Sequence, residues 1–278
     1  MIKQKTKIIL EGLKFPEGPR WRDNKLWFSD MWGRRVMTVD LQGNAEIIVK
    51  TQKSPSGLGW DTQGRLLIVS MEDRRLLRLD AHGMTEIADM SSLATYHCND
   101  MVVDKLGRAY IGNFGFDINT NAPFKPAEII LVTPDGQARI VANNMAFPNG
   151  MVITPDGETL IVGETMASRL TAFNIENDGS LTNRRVWAKL RKGAVPDGIC
   201  LDSEEAIWVA SPTTSEVLRL LEGGELSDEI KIQDKNSAYA CMLGGLHRTT
   251  LFVCTSNDSR TNGRIESIEV DFPGTGLP

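Results

Sequence analysis

A short phrase recurs along the chain at nearly regular intervals, and this repeat restricts the fold more than any other feature. Its clearest copies read FPEG, FPNG and VPDG, at residues 15–18, 147–150 and 195–198. SPSG at 54–57 and CND at 98–100 are weaker copies, and a sixth copy near residue 242 matches the phrase least closely. Successive copies lie 39 to 50 residues apart when the following residues are aligned: Glu17, Ser56, Asn99, Asn149, Asp197 and Met242.

Each copy of the phrase begins the same order of predicted elements. A short apolar strand, a D-x-x-G turn and a second strand come first, and a loop and a third strand follow. Runs such as LLIVS (66–70) and IWVAS (207–211) are typical of strands that are covered on both faces. A period of about 40 to 50 residues with four strands per unit is typical of a β-propeller blade. The sequence therefore predicts an all-β, six-bladed β-propeller, with residues 1–278 forming one domain.

The start of the chain has a predicted place in this propeller. The segment TKIIL (6–10) is expected to supply an outer strand to the last blade, which would close the ring and hide two sheet edges. A β-sandwich or tandem β domains are the alternative folds, but neither gives a reason for six copies in register.

Charge and composition exclude several classes of function. A net charge of −5 and a pI near 5.4 argue against a nucleic-acid-binding protein. The first residues lack the long apolar run of a signal peptide or membrane span, so we expect a cytoplasmic protein without a membrane partner. The cysteines show no disulfide or C-x-x-C spacing and are expected to be buried free thiols: Cys98, Cys200, Cys241 and Cys254.

The third residue of the phrase is predicted to carry the chemistry. The first strand of a propeller blade lines the central channel, so the aligned residues should meet at one end of that channel. Among them are two carboxylates, Glu17 and Asp197, and two amides, Asn99 and Asn149. Buried carboxylates repel each other unless a cation lies between them. Oxygen ligands favour a hard divalent ion, so the sequence predicts one metal ion, Ca²⁺ first, with Zn²⁺, Mg²⁺ and Mn²⁺ as alternatives.

A plain turn is the alternative interpretation of every copy, because Pro-Glu-Gly, Pro-Asn-Gly and Pro-Asp-Gly are all good turn sequences. TPDG at 133–136 and 154–157 illustrates this, since both copies fall in the turn phase of the repeat. We therefore assign no function to Asp135 or Asp156. Position within the repeat, not composition, favours the four metal-ligand candidates.

The loops that follow the second strand of each blade should open at the same mouth of the channel. The longest, 112–128, carries three phenylalanines and is predicted to form a partial lid or pocket wall, with a packing role as the alternative. We predict that Phe114, Phe116 and Trp32 bind substrate, together with Asn99 and His97.

The motifs FPEGPRW, CND, FPNGM and VPDGI, over nearly the whole chain, resemble those of the senescence marker protein (regucalcin)/gluconolactonase family. This resemblance implies a six-bladed propeller with one divalent metal in its channel and lactone hydrolysis. By motif, Glu17, Asn149 and Asp197 would hold the metal, and Asn99 would approach it or bind substrate. Asp197 would act as the acid/base or nucleophile. Diisopropyl fluorophosphatase and paraoxonase resemble this family in fold and metal position.

One position departs from the family pattern. Sugar lactonases of the family commonly have Arg two residues before the asparagine of the ND motif, where this chain has His97. Histidine offers fewer hydrogen-bond donors, which favours a lactone less polar than an aldonolactone. His97 is predicted to bind substrate or to protonate the leaving alkoxide, with a loop hydrogen bond as the alternative. Apolar residues predicted around the mouth agree with a less polar substrate: Met31, Trp32, Phe114, Phe116, Met166 and Met242.

The predicted reaction is metal-dependent opening of a small-molecule lactone. The metal would polarise the ring carbonyl, and Asp197 would act as the general base that activates water. A phosphotriesterase similar to diisopropyl fluorophosphatase, using the same metal site, is one alternative. A non-catalytic, calcium-binding propeller is the other.

Overall fold

The computed structural model describes residues 5–120, 122–257 and 259–276. Both ends of the predicted domain, and one residue in each of the mouth loops 112–128 and 255–263, lie outside the described residues. The first thirteen strands in chain order are β1 (Lys7–Leu13), β2 (Pro16–Arg22), β3 (Lys25–Asp30), β4 (Arg35–Val39), β5 (Ala45–Lys50), β6 (Pro55–Trp60), β7 (Leu66–Ser70), β8 (Arg75–Asp80), β9 (Gly83–Asp89), β10 (Cys98–Val103), β11 (Ala109–Asn113), β12 (Ala127–Val132) and β13 (Ala138–Met145).

The remaining strands continue the same pattern. They are β14 (Pro148–Ile153), β15 (Thr159–Glu164), β16 (Arg169–Ile175), β17 (Leu181–Lys189), β18 (Ile199–Leu201), β19 (Ile207–Ser211), β20 (Glu216–Leu220), β21 (Leu226–Lys231), β22 (Ser237–Gly244), β23 (Thr250–Ser256) and β24 (Gly263–Glu269). The helical elements of the described residues are three single 3₁₀ turns: Met31–Gly33, Ile118–Thr120 and Thr165–Ala167. None of the helices in this part of the chain has the length and apolarity needed to cross a membrane.

The strands form six antiparallel sheets of four, which confirms the predicted six-bladed propeller. Five blades use consecutive strands: β2–β5, β6–β9, β10–β13, β14–β17 and β18–β21. The sixth blade has the order β22–β23–β24–β1, with Lys7 of β1 opposite Ser267 of β24. The predicted role of the first strand is therefore confirmed: it completes the last blade and joins the two ends of the ring.

Apolar side chains fill the spaces between neighbouring blades. Where the ring closes, Trp21 of the first blade stacks on Phe252 of the sixth, with the ring centroids 5.3 Å apart. Between the first and second blades, Trp27 meets Trp60 edge to face at 5.6 Å. Stacking of this kind adds about 1 kcal/mol to the burial of each ring. Aromatic pairs thus hold the first blade against both of its neighbours.

The recurring phrase has a structural cause at the hub. The pairing of the first and second strands shifts register within the phrase or at its end in four blades, and a bulge of this kind redirects a side chain. A Cβ atom on Gly57 would lie 2.4 Å from the backbone nitrogen of Met101 in the next blade. A Cβ atom on Gly198 would lie 2.4 Å from that of Ala240. Glycine follows the variable residue because the innermost strands approach too closely for a side chain.

A polar side chain at or just after the end of the second strand fixes the backbone at the start of the phrase in several blades. Asp30 accepts a hydrogen bond from the backbone N–H of Phe15 at 2.9 Å, and Glu164 accepts one from Ala146 at 2.7 Å. Equivalent pairs in the second and fifth blades are Glu72 with Ser54 and Ser211 with Val195. These bonds fix the start of the innermost strands and so position the residues that face the channel.

The end of the described chain runs beneath the fifth and sixth blades. The Gly274 N–H donates to the carbonyl of Arg248 at 2.8 Å, and the Thr275 N–H donates to the carbonyl of Leu201 at 3.1 Å. Thr275 and Gly276 of this segment line a small cavity with Arg20 and Met242, separate from the one at the mouth.

The four cysteines are buried and free, as predicted. Burial raises the pKa of Cys98 to about 12, so this side chain is a neutral thiol in the core between the second and third blades. The two TPDG segments also form turns as predicted, closed by hydrogen bonds from Gly136 to Thr133 and from Gly157 to Thr154, both 2.8 Å long.

Candidate active site

A cavity of about 340 Å³ opens at the mouth of the channel. Four of its lining residues are the metal-ligand candidates predicted from the repeat, here called the axial quartet: Glu17, Asn99, Asn149 and Asp197. They come from four different blades and meet because the innermost strands of neighbouring blades are in contact around the ring. Glu17, Asn99 and Asn149 are buried, and Asp197 is half-buried.

Hydrogen bonds fix the two amides of the axial quartet. The Asn99 Nδ2 donates to Asn149 Oδ1 at 2.9 Å, and Asn149 Nδ2 donates to Thr165 Oγ1 at 3.2 Å. Ser56, the aligned residue of the second blade, donates from its hydroxyl to Asn99 Oδ1 at 3.2 Å. Ser56 therefore supports an amide of the quartet. The described residues that line the cavity do not include it.

The two carboxylates of the quartet lie in an unfavourable electrostatic environment. Burial raises the pKa of Glu17 well above its ordinary value, and the negative charges of Asp197 and Asp100 raise it further. Burial likewise raises the pKa of Asp197, with Asp100 adding to the effect. The backbone N–H of Gly18 donates to Glu17 Oε2 at 3.0 Å, which offsets only part of this cost.

Asp100 is a third carboxylate at the hub; it is buried, and it was not among the residues predicted from the sequence. Four of the other copies have glycine at this position, so the sequence marks Asp100 only by its departure from the repeated phrase. Burial raises the pKa of Asp100, while the positive charge of Arg20 opposes that rise. Arg20 is itself buried and donates to the carbonyls of Pro19, at 2.8 Å, and Met101.

The axial quartet fits a hard divalent cation. A cation between Glu17 and Asp197 would offset the negative charges of Asp197 and Asp100 that, after burial, raise the pKa of Glu17. No group of three or more His, Cys, Asp or Glu side chains among the described residues is arranged to hold a metal. A cation at the hub would therefore use amide oxygens in addition to carboxylates, as Ca²⁺ commonly does.

An apolar collar surrounds the cavity above the quartet: Phe15, Met31, Met71, Phe114 and Phe147. Phe114 and Phe147 pack edge to face with their centroids 4.6 Å apart. Tyr239 packs against Phe15 at 4.5 Å and also lines the cavity. Phe114 was among the predicted substrate-binding residues, whereas Met71, Phe147 and Tyr239 were not selected from the sequence. The collar therefore gives the cavity an apolar wall above the quartet.

Phe116, also predicted to bind substrate, lies behind this wall. Its ring packs 6.5 Å from that of Phe147 and 5.6 Å from that of Phe124, and it is not among the described residues that line the cavity. The 112–128 loop turns Phe116 inward to support Phe147. Its place in the structure is therefore one of packing, the alternative considered for this loop.

The sixth member of the aligned ring is Tyr239, so the alignment of Met242 was wrong. The Gly198 N–H donates to the Tyr239 carbonyl at 2.8 Å, just as the Gly150 N–H donates to the Asp197 carbonyl at 3.2 Å in the preceding blade. Met242 instead lines a separate, smaller cavity beside Arg20. The sixth copy lacks the Pro-x-Gly phrase, and a register shift between 238 and 240 displaces its strand.

His97 lines the cavity on the side of the third blade. It is half-buried, and its ring stacks on Tyr96 at 4.2 Å. Burial lowers the pKa of His97 below its ordinary value, although the negative charges of Glu72 and Asp117 oppose this. A neutral imidazole at this position can donate one hydrogen bond and accept another.

The opposite rim of the cavity carries an arginine. Trp32 is 41% exposed, and the guanidinium of Arg260 lies 5.0 Å from its ring centroid and 5.3 Å from that of Phe15. Trp32 and Arg260 both line the cavity. Trp32 was a predicted substrate-binding residue, whereas Arg260, in the loop after β23, was not selected from the sequence.

Comparison with known proteins places these features in a family. A family model described as "SMP-30/Gluconolactonase/LRE-like region" matches residues 15–257. A 6-deoxy-6-sulfogluconolactonase from Pseudomonas putida is 24% identical over 287 aligned positions, covering 98% of this chain and 96% of that protein. Lactonase drp35 from Staphylococcus haemolyticus is 26% identical, covering 96% of this chain and 85% of its own length.

A solved structure shows the same fold. The calcium-binding protein regucalcin from Agrobacterium tumefaciens matches with a TM-score of 0.81 at 20% sequence identity, covering 96% of this chain and 94% of its own. The family match extends from the phrase that begins the first blade to the end of the second strand of the sixth blade. The chain therefore belongs to the SMP-30/gluconolactonase/LRE-like family.

Proposed function

We propose that this protein is a divalent-metal-dependent hydrolase that opens a lactone ring. The observation that carries the proposal is the convergence of two carboxylates and two amides in a cavity of about 340 Å³. Two relatives that align along nearly the whole chain are named as lactonases, which supports this reaction class. The cavity has the dimensions of a small-molecule site.

The axial quartet would hold the metal. Its donors are all oxygens and include two negative charges, which makes Ca²⁺ the first choice and Zn²⁺, Mg²⁺ and Mn²⁺ the alternatives. A related structure is described as a calcium-binding protein, which supports this order. When bound, a divalent cation supplies Lewis-acid polarisation of the lactone carbonyl.

Asp197 would act as the general base. Its side chain faces the cavity and accepts hydrogen bonds from Asn149 and from the backbone of Gly198, which fix its orientation. From this position the carboxylate takes a proton from the attacking water and holds it beside the reaction centre. Asn99 and Asn149 keep the reacting groups in place through their shared hydrogen bond.

His97 and the collar would bind the rest of the substrate. The neutral imidazole can donate to a ring substituent or to the departing alkoxide oxygen. Phe114 and the collar contact the apolar part of the lactone and limit the access of water. This environment favours a less polar lactone over an aldonolactone with many hydroxyl groups.

The whole activity is assigned to one domain acting in the cytoplasm. The axial quartet draws its members from the first, third, fourth and fifth blades, and the first strand of the chain closes the ring. Four buried free cysteines agree with a reducing compartment.

The proposal is tested by removing and restoring the metal. The purified protein is stripped with a chelator, resupplied separately with Ca²⁺, Zn²⁺, Mg²⁺ or Mn²⁺, and assayed on δ-valerolactone, dihydrocoumarin, gluconolactone and paraoxon. We expect lactone turnover that disappears with the chelator and returns with Ca²⁺, and we expect dihydrocoumarin to be a better substrate than gluconolactone. Rapid hydrolysis of paraoxon without turnover of any lactone would instead identify the protein as a phosphotriesterase.

A variant of the proposed base separates catalysis from cation binding alone. Asp197→Asn should lower kcat by about 10²- to 10⁴-fold. The control is Asp135→Asn, which changes an exposed aspartate in a Pro-Asp-Gly turn outside the site. If neither the wild type nor the control hydrolyses any of the lactones or paraoxon with any metal, the non-catalytic propeller is the better description.

A further inference from the structure

Arg260 gives the cavity a feature that the hydrolysis of a neutral lactone does not require. Its guanidinium lies against Phe15 and Trp32 at the rim formed by the first and sixth blades. Two aromatic rings restrict its motion while leaving its N–H groups available for hydrogen bonds. Across the cavity, the third blade contributes His97, Phe114 and Ile118. The two sides of the site therefore differ in charge.

The charge of Arg260 is not neutralised by the rest of the described structure. It forms no ion pair and no side-chain hydrogen bond with any residue in the described part of the chain. Glu72 also lines the cavity, but both of its oxygens accept hydrogen bonds from Ser54, at 2.8 Å from the backbone and 2.8 Å from the hydroxyl. Arg260 is also the single lysine or arginine among the described lining residues.

Because the axial quartet contains two carboxylates, a positively charged side chain at the rim of the site would be important for binding a negatively charged substrate. Glu17 and Asp197 would repel a negatively charged substrate, and a cation bound between them would offset those two charges. Arg260 would then add a positive charge at the rim, separate from the reaction centre. A substrate with its carbonyl at the axial quartet can direct one substituent toward Arg260 and another toward Phe114.

We propose that Arg260 binds an anionic substituent of the substrate, so that the preferred substrates are lactones that carry a carboxylate or similar oxyanion. This inference rests on the proposed lactone hydrolysis and specifies its substrate class. Guanidinium is suited to the task because its planar array of donors matches the two oxygens of a carboxylate. The aromatic side of the cavity would accept the apolar part of the same molecule.

The test compares two lactones of nearly equal size. One is a γ-butyrolactone with a carboxylate on the ring, and the other carries a carboxamide at the same position. Values of kcat/KM are measured for the wild type, Arg260→Gln and Arg260→Lys. The matched control is Arg264→Gln, since Arg264 is paired with Asp234 at 3.1 Å and does not line the cavity.

We expect the wild type to prefer the carboxylate. Arg260→Gln should lower kcat/KM for the carboxylate by about 10- to 100-fold, the loss expected for a hydrogen bond to a charged group, and change it less than twofold for the carboxamide. Arg260→Lys should retain part of the preference, and Arg264→Gln should retain all of it. An equal loss on both lactones, or a wild-type preference for the carboxamide, would overturn the proposal.

A binding measurement separates failure of this inference from failure of the proposed function. The corresponding cyclopentanone carboxylate and carboxamide cannot be opened, and their affinities are measured by calorimetry for the same four proteins. Tighter binding of the carboxylate that is lost in Arg260→Gln supports the anion subsite even if no lactone is hydrolysed. Equal affinity for the two ketones in the wild type counts against the subsite, whatever the lactone assay shows.

Discussion

Replacing Glu17 by glutamine should change stability in opposite directions with and without metal. Without metal, the Glu17 carboxylate is buried near Asp197 and Asp100, and burial and repulsion raise its pKa. The ionised side chain therefore costs folding free energy at neutral pH. Glutamine has nearly the same shape and no charge, so Glu17→Gln should unfold at a higher temperature than the wild type in the presence of a chelator.

With metal, the order should reverse. A ligand that binds only the folded state at 100 times its dissociation constant stabilises that state by about 2.7 kcal/mol. With the average unfolding entropy per residue, that corresponds to a rise in Tm of about 5 °C for a chain of 278 residues. The variant retains one of the two quartet carboxylates, so it should lose most of this rise.

Differential scanning calorimetry in EDTA and in increasing Ca²⁺ measures both effects. Glu222→Gln serves as the control, because Glu222 is an exposed residue in a turn and its charge lies outside the cavity. The control should match the wild type under both conditions. The reasoning is refuted if Glu17→Gln melts below the wild type in EDTA, or if Ca²⁺ raises its Tm as much as that of the wild type.

Three further changes test the supporting structure. Burial acts to raise the pKa of Glu164, but hydrogen bonds and two arginines outweigh this effect and lower the pKa; one of these arginines, Arg169, lies 2.8 Å from the carboxylate. Glu164→Gln would leave the arginines without an opposite charge, so it should lower the free energy of unfolding in urea at pH 7 by about 3 kcal/mol. That loss of stability should shrink as the pH falls below 4.5, the ordinary pKa of a glutamate, and through the lower pKa of Glu164 in the folded protein. A loss that does not change with pH would contradict the prediction. Trp21→Ala removes the stack on Phe252 and should lower the free energy of unfolding in urea by about 3 to 5 kcal/mol. A loss below about 1 kcal/mol would show that this contact does not hold the ring closed. Phe114→Ala should raise KM for dihydrocoumarin more than for gluconolactone in steady-state assays, and an equal effect on both would argue against apolar contact.

The sequence by itself determined the architecture. A phrase that repeats every 39 to 50 residues requires repeated units, and the strands between the copies supply four per unit. The position of TKIIL in the last blade also followed from the sequence, because an unpaired sheet edge at the ring closure needs a partner. These features are local or periodic, and so they are visible along the chain.

The axial quartet was also predictable, for a related reason. Glu17, Asn99, Asn149 and Asp197 occupy the same phase of the repeat, and a closed ring brings equivalent positions to one axis. The sixth position was not predictable, since a register shift in β22 places Tyr239 at the axis instead of Met242. A bulge changes which residue faces the channel without leaving a distinct pattern in the sequence.

Only the tertiary structure decided the composition of the cavity wall. Phe116 turned inward behind Phe147, while Met71 and Arg260, from different blades, joined the lining. The Asp100 carboxylate is buried beside the quartet because neighbouring strands exclude water around it. A repeat fixes where each blade begins, but contacts between side chains of different blades depend on loop conformation and packing in three dimensions, which no single stretch of sequence specifies.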